Sequence, residues 1–246
     1  MRYIGCRYRS AGGLIPTKIH YCWFGHGRRS RLLQRCMASW RRVLPDYQVQ
    51  EWNEANSPLE ANSYTRAAYK QKLWSRLSNY VRLHALYTEG GIYLDTDVEV
   101  IRSFTPLLAQ KCFVGFQQEE AQLDWVNGAV LGAEAGQPFL QHCMELTLKL
   151  FETEGEFYRG PTIITAVLKA AGLRAYGLQE LDGVTVCPAE YFYPYPWFGR
   201  FSPDCIKAST YSVHHWAGSW LRQERRRLPS PRQLIGRMKR ALVRAL

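Results

Sequence analysis

The sequence predicts an α/β domain with a mainly parallel central sheet. Short apolar or alternating segments, which are typical of strands, alternate over most of the chain with segments whose apolar residues recur at helical spacing. The length of 246 residues suits one large domain, and a composition of 46% hydrophobic and 22% charged residues is that of an ordinary globular protein. Sheets of this kind bind ligands at the carboxyl ends of their strands, so we expect the functional site there.

The first part of the chain predicts three strands and three helices. Residues 18–24 (KIHYCWF) form an apolar run that Gly25 closes. The predicted strands cover residues 18–24, 47–52 and 92–94, and the predicted helices cover residues 30–43, 63–69 and 74–87. In the last of these helices, the spacing places the apolar residues on the side that faces a core and Arg82 on a different side. Gly90 ends that helix, since glycine terminates helices at little cost.

The second part of the chain continues the alternation. Proline stands near the start of each of its two predicted helices, where its missing N–H costs nothing. The predicted strands cover residues 98–101, 113–116, 127–132, 184–187 and 211–215, and the predicted helices cover residues 138–151 and 161–171.

Positive charge is concentrated at the two ends of the chain. The net charge is +11, and residues 1–35 and 222–246 carry +8 each, so the residues between them carry −5. We therefore divide the chain into a basic N-terminal extension (1–14), a folded domain (15–221) and a basic amphipathic C-terminal tail or helix (222–246). A basic amphipathic helix suits the surface of an anionic membrane; the alternative is a helix packed on its own domain.

The cysteines indicate a reducing compartment. There are seven, an odd number, and they contain no CxxC pair, which argues against a disulfide framework and against a cysteine zinc site. The N-terminal residues lack the apolar core of a signal peptide, and no apolar run reaches the roughly 18 residues of a membrane span. We expect a cytoplasmic protein, in peripheral contact with the inner face of the membrane through residues 222–246.

The strongest chemical signal is Asp95-Thr96-Asp97, directly after a glycine pair and a short apolar strand. If the strand continues, Asp95 and Asp97 face the same side. Carboxylate oxygens suit Mg²⁺ or Mn²⁺, and two of them leave room for phosphate oxygens on the metal. The motif therefore predicts a metal site that neutralises a diphosphate leaving group.

An apolar strand followed by DxDxE also resembles the opening motif of haloacid-dehalogenase-type phosphatases, in which the first aspartate, here Asp95, is a nucleophile. Those enzymes place the motif on an early strand and use a downstream acidic pair for Mg²⁺. The sequence after Asp97 offers no such pair. The phosphatase stays an alternative on the motif alone.

Three segments together resemble glycosyltransferase family 32: residues 15–25 (IPTKIHYCWFG), 77–100 (LSNYVRLHALYTEGGIYLDTDVEV) and 214–220 (HHWAGSW). The resemblance covers about residues 15–221. It implies a GT-A fold, a nucleotide-diphosphate sugar donor (a UDP-sugar in preference to a GDP-sugar), a Mn²⁺ or Mg²⁺ cofactor and retention of the anomeric configuration.

The same resemblance implies roles for individual residues. Trp23 would stack on the base of the donor nucleotide, and Tyr93 completes the donor-binding motif. Arg82 would contact the donor sugar or the neighbouring acids. Asp95 would meet the ribose, the sugar or a metal-bound water, and Asp97 would bind the metal directly.

The C-terminal segment of the resemblance would close over the diphosphate. Ser219 and the indole N–H of Trp220 would donate hydrogen bonds to phosphate, and either His214 or His215 would contact the metal or the phosphate. Asn79 departs from the family, which has an aspartate there that binds hydroxyls of the donor sugar. An asparagine carries no charge, so the choice of donor is open at this position.

The family and the basic ends imply a glycan or lipid-linked glycan acceptor, in the synthesis of surface polysaccharide such as capsule. A non-enzymatic alternative is a nucleic-acid binder that uses the basic ends. Both basic blocks lie outside the segments that carry the motifs, and no RNA- or DNA-binding signature is present, so we expect no nucleic-acid partner.

Overall fold

The computed structural model describes residues 15–218. They fall in two compact units, one that ends at His215 and one that begins at Trp216. The predicted N-terminal extension, Ser219, Trp220 and the predicted C-terminal helix lie outside the described residues. Within the described part, no helix is long and apolar enough to cross a bilayer. The six cysteines of that part are free thiols.

The described residues contain nine strands and five α-helices. The strands are β1 (Lys18–Cys22), β2 (Gln48–Trp52), β3 (Gly91–Leu94), β4 (Val98–Val100), β5 (Cys112–Phe116), β6 (Val126–Ala133), β7 (Gln179–Leu181), β8 (Val184–Cys187) and β9 (Ser212–His214). The helices are α1 (Arg31–Val43), α2 (Ser63–Lys70), α3 (Trp74–Glu89), α4 (Pro138–Glu154) and α5 (Gly160–Ala170).

Seven strands form one sheet in the order β2-β1-β3-β6-β5-β8-β7. The pairs β1–β2, β1–β3 and β5–β8 are parallel, and the pairs that involve β6 or β7 are antiparallel. Five of the seven strands therefore run in one direction, which confirms the predicted fold class. Strands β3 and β6 are buried along their whole length because the sheet is covered on both faces.

A separate two-stranded ribbon pairs β4 with β9 in antiparallel fashion, with Val98 opposite His214. Helix α1 holds the ribbon: the indole of Trp40 donates to the carbonyl of Val98 at 2.7 Å, and the hydroxyl of Ser39 accepts from the N–H of Val100 at 2.8 Å. Both side chains are buried. The ribbon thus fixes the position of a segment that lies more than a hundred residues beyond β4 in sequence.

Helix α3 leads into the central strand β3 through two glycines. Gly90 caps the helix with φ of 66° and Gly91 has φ of 112°, a region that favours glycine. A Cβ on Gly91 would lie 2.6 Å from the carbonyl oxygen of Lys18 on β1. This close approach lets β3 pair with β1 immediately after the helix ends.

The predicted helices and strands are all present, and their bounds differ from the prediction by three residues or fewer at each end. The strand β7 was not predicted, since Gln179–Leu181 is short and its sequence (QEL) has no β-branched or aromatic residue. The prediction for Arg82 was wrong: this side chain is 7% exposed and lies inside the protein.

Candidate functional site

Asp95-Thr96-Asp97 forms a turn at the carboxyl end of β3. The backbone N–H of Asp95 donates to the carbonyl of Ala129 on β6 at 2.8 Å, and the N–H of Val98 donates to the carbonyl of Asp95 at 3.0 Å. The turn separates the predicted strands at residues 92–94 and 98–101, so the strand does not continue through the two aspartates. The chain reverses here because β4 leaves the main sheet to pair with β9.

Three side chains converge at this turn. One ligand atom each from Asp95, Asp97 and His214 lies within 4.8 Å of the others. The Nε2 atom of His214 is 3.2 Å from Oδ1 of Asp97, and the two side chains are 8% and 13% exposed. Two carboxylates and one imidazole fit a divalent cation, and the imidazole favours Mn²⁺ over Mg²⁺ in this set. The predicted metal residues are thus brought together.

The electrostatics of the cluster reflect its burial. Burial alone would lower the pKa of His214, but the charge of Asp97, its hydrogen bond and the charge of Asp95 outweigh this, so the pKa of His214 lies above its ordinary value. Burial also raises the pKa of Asp95, although the guanidinium of Arg82 opposes the rise. Two partly buried acids close to a buried histidine are an arrangement that a cation stabilises.

Arg82 holds Asp95 in place from inside the domain. Its Nη2 donates to Oδ1 of Asp95 at 3.0 Å and its Nη1 donates to the carbonyl of Gly128 at 2.7 Å. The guanidinium lies 4.5 Å from the centre of the Tyr93 ring, and the Tyr93 hydroxyl donates to the same Asp95 oxygen at 3.1 Å. The other oxygen of Asp95 accepts from no residue in the part of the chain that the structure describes. It is therefore open to a ligand.

These contacts refine two predicted roles. Arg82 contacts the neighbouring acid, one of the two partners predicted for it. Tyr93 is buried, with 1% of its surface exposed, and its hydroxyl donates a hydrogen bond to Asp95. Both residues position a carboxylate.

Trp23 follows β1 at the carboxyl end of the sheet and is half-buried. Its indole N–H donates to the carbonyl of Gly27 at 3.1 Å, and the guanidinium of Arg29 lies 5.1 Å from its ring. Arg29 in turn is paired with Glu51, next to the Tyr21 hydroxyl. The indole is held in a fixed orientation at the edge where parallel sheets bind ligands, which suits the predicted contact with a nucleotide base.

Asn79 lies one helical turn before Arg82, half-buried, against the first residue of α5. A Cβ on Gly160 would lie 2.8 Å from the side-chain oxygen of Asn79, so glycine is what allows the approach. Asn127 is 7% exposed, and its amide is used within the protein: its oxygen accepts from the N–H of Ala129 and its nitrogen donates to Gln117.

Two contributions to the site were not foreseen. The backbone of β6 supplies the carbonyls of Gly128 and Ala129 that hold Arg82 and Asp95. The other is a second contact between a histidine and an acid, in which Nε2 of His215 lies 2.7 Å from Oε2 of Glu99. Every residue has a backbone carbonyl, so a sequence does not show which carbonyls take part in a site. The two consecutive histidines at residues 214–215, in contrast, could be recognised in the sequence.

Two family models match the chain. Residues 30–114 match the glycosyltransferase sugar-binding region containing a DXD motif. Residues 132–241 match the alpha 1,4-glycosyltransferase conserved region. The first match contains Asp95 and Asp97, and the second contains His214.

Among curated proteins, the chain is 30% identical over 174 residues to a lactosylceramide 4-alpha-galactosyltransferase sequence of Pongo pygmaeus, covering 65% of this chain and 76% of that sequence. It is 32% identical over 155 residues to the Mus musculus protein of the same name, covering 57% of this chain and 40% of the mouse protein. The chain therefore spans well under half the length of the mouse relative.

Among solved structures, the PaToxG glycosyltransferase superposes with a TM-score of 0.51 at 18% identity, covering 64% of this chain and 70% of that one. At this identity the likeness concerns the fold. It agrees with the GT-A fold that the family implies.

Proposed function

Because the chain belongs to the DXD-containing sugar transferases of glycosyltransferase family 32, we propose that it transfers a sugar from a nucleotide-diphosphate donor to a hydroxyl of a glycan or lipid-linked glycan. The observation that carries the proposal is the convergence of Asp95, Asp97 and His214 at the carboxyl end of β3. A diphosphate leaving group needs a cation at the point where its negative charge develops, and these three side chains can hold one.

The proposed donor is a UDP-hexose, with UDP-galactose first among the candidates, since the relatives are named as alpha-galactosyltransferases. The common UDP-hexoses carry the sugar in α linkage. An alpha-transferase that starts from such a donor retains the configuration, so we propose a retaining reaction.

Asp97 and His214 would bind the cation, together with the open oxygen of Asp95. When bound, Mn²⁺ or Mg²⁺ supplies a Lewis acid that neutralises the departing diphosphate. The charge of Arg82 favours the ionised form of Asp95 and its hydrogen bond orients the carboxylate, and Trp23 offers a flat ring for the base. No described side chain is placed as an obvious covalent nucleophile, so the residues act by positioning the reactants and by electrostatics.

The proposed acceptor is a saccharide, free or on a lipid, as in surface polysaccharide synthesis. The relatives are named for lactosylceramide, a glycolipid. We also propose that residues 222–246, which carry nine basic residues and one acid, bring a cytoplasmic enzyme to anionic lipid. Flotation with vesicles that contain phosphatidylserine, of the full chain and of a chain that ends at Leu221, tests this; equal flotation would reject it.

The phosphatase alternative, with Asp95 as the nucleophile, has no support in the comparisons. Both family matches are to glycosyltransferases.

The experiment is a donor-hydrolysis screen of common UDP- and GDP-sugars with Mn²⁺ and with Mg²⁺. We expect hydrolysis of at least one UDP-sugar, and a loss of roughly a hundredfold or more in Asp97→Ala, since a bound cation contributes several kcal/mol to the transition state. The matched control is Asp46→Ala, an exposed aspartate in a turn far along the chain from the cluster. No hydrolysis of any donor by the wild type, or full hydrolysis by Asp97→Ala, would contradict the proposal.

A further inference from the structure

Eight large apolar side chains are exposed among residues 15–218, and four of them lie in one ten-residue stretch. The four are Trp197, Phe198, Phe201 and Ile206, whereas the other four are scattered along the chain. Clustered exposed apolar groups mark binding surfaces, whereas scattered ones are ordinary. We call residues 195–201 the aromatic turn.

The geometry of the aromatic turn presents two rings to solvent. The N–H of Gly199 donates to the carbonyl of Pro196 at 2.9 Å, which makes Trp197 and Phe198 the central residues of a β-turn. Their side chains are 63% and 73% exposed, and the two rings meet edge to face at 5.7 Å. Prolines at positions 194 and 196 restrict the backbone, so the backbone of the turn loses little conformational entropy when a ligand binds.

The aromatic turn is anchored beside the metal-binding cluster. At its start, Tyr195 is 9% exposed. At the other end, the ring of Phe201 lies 5.5 Å from that of His215 and 5.7 Å from that of Tyr195. The N–H of His215 donates to the carbonyl of Asp97 at 2.9 Å. Two residues of chain span at most about 7 Å, so Trp197 also lies close to this anchor.

Resting on the proposed function, we propose that Trp197 and Phe198 are the platform for the acceptor saccharide. A pyranose ring has an apolar face of C–H groups, which stacks on an aromatic ring, and the perpendicular Phe198 would border such a ring on one side. The position favours this occupant, since an acceptor must bring a hydroxyl to the donor beside Asp97. The aromatic turn is an exposed apolar surface whose anchor, His215, is hydrogen-bonded to that residue. Rigid aromatic side chains give contact area at low entropic cost.

The test compares Trp197→Ala and Phe198→Ala with Leu178→Ala, a control whose side chain is 61% exposed on a different loop. Wild-type protein is first applied, without donor, to an array of oligosaccharides that end in β-galactose, α-mannose or N-acetylhexosamine. The affinity of the best soluble oligosaccharide is then measured by calorimetry for each variant. We expect Trp197→Ala to weaken it at least about tenfold, or about 1.4 kcal/mol, and Leu178→Ala to leave it within about twofold. In turnover assays the change should appear in the acceptor KM and not in the donor KM.

Three outcomes would overturn the proposal. The wild type could bind no saccharide on the array, or Trp197→Ala could bind the soluble oligosaccharide as the wild type does. The substitution could also weaken binding to lipid vesicles while the affinity for the soluble oligosaccharide stays the same, which would make the turn a membrane contact. Saccharide binding is measured without donor, so a failure of the proposed transfer reaction, seen as absent donor hydrolysis, is registered separately.

Discussion

Replacing Arg82 by methionine removes the guanidinium that links α3, β6 and the Asp95 carboxylate, and it keeps an unbranched stem that can pack in the same place. The guanidinium donates to Asp95 and to the carbonyl of Gly128, and it is buried. Removing one partner of a buried ion pair costs about 3–5 kcal/mol, mainly because the remaining charge is left without compensation. The Asp95 side chain is 28% exposed, so water replaces part of the lost interaction and we expect the lower end, about 3 kcal/mol.

A domain of this size has a free energy of unfolding of roughly 5–15 kcal/mol, so Arg82→Met should fold. Its melting temperature should fall by roughly 6–12 °C, at about 2–4 °C per kcal/mol for 150–250 residues. Urea unfolding of Arg82→Met, Asp95→Asn and the double variant measures the coupling. The double variant leaves no unpaired buried charge. Its loss of unfolding free energy should therefore be smaller than the sum of the two single losses by at least about 1 kcal/mol.

The control is Arg41→Met, an exposed arginine in the last turn of α1, which should cost less than about 1 kcal/mol. Additivity of Arg82→Met and Asp95→Asn to within about 0.5 kcal/mol would refute the reasoning. In that case the contact between the two side chains would not be what stabilises the turn.

Three further predictions concern the backbone, the pH dependence and the donor. Gly91→Ala would place a Cβ 2.6 Å from the Lys18 carbonyl oxygen at φ of 112°, so it should lower the free energy of unfolding by about 3 kcal/mol or more. The control is Gly136→Ala, which has φ of 76° and nothing within 4 Å of the added Cβ, so it should cost only about 1–2 kcal/mol. Equal losses for the two variants in urea titrations would contradict this. Burial lowers the pKa of His20 to about 4, against 6.5 in the unfolded chain, so the unfolded state takes up the proton first and stability is lost as pH falls from 6.5 towards 4. Between roughly pH 7 and pH 5 the loss from this group should be about 2 kcal/mol, and a His20→Asn protein with the same pH slope as the wild type would show that His20 is not responsible. Asn79→Asp adds a charge beside the start of α5 and should change the ratio of kcat/KM for UDP-galactose and UDP-N-acetylglucosamine by about tenfold or more; identical ratios would remove Asn79 from donor selection.

The helices and most strands could be predicted because their signals are local. Apolar spacing in residues 31–43, with Ser30 capping the N-terminus, defines α1 in sequence and in structure. Gly90 marked the end of α3 because a cap residue with positive φ favours glycine. The metal-binding motif was visible for the same reason, since its two aspartates, its glycine pair and its apolar strand are contiguous.

What was not predicted depends on partners that are distant in sequence. The spacing along α3 shows which face of the helix Arg82 lies on. It does not show that another element packs against that face, so Arg82 was predicted to lie away from the core. It is buried because β6 lies next to β3 and presents the Gly128 carbonyl to it. Nothing local to residues 95–97 shows that β4 leaves the main sheet there to pair with β9.

The sequence by itself determined the family, most of the helices and strands, and the two aspartates of the metal-binding motif. The spacing of apolar residues, the helix caps and the motifs that reveal them each extend over only a few residues. The tertiary structure decided which side chains complete the site. His214 reaches Asp97 through the β4–β9 pairing, and Arg82 reaches Asp95 across the α3–β6 contact. These contacts depend on the order of the strands in the sheet. That order is decided by the burial of apolar surface from all segments together, so no single segment reveals it.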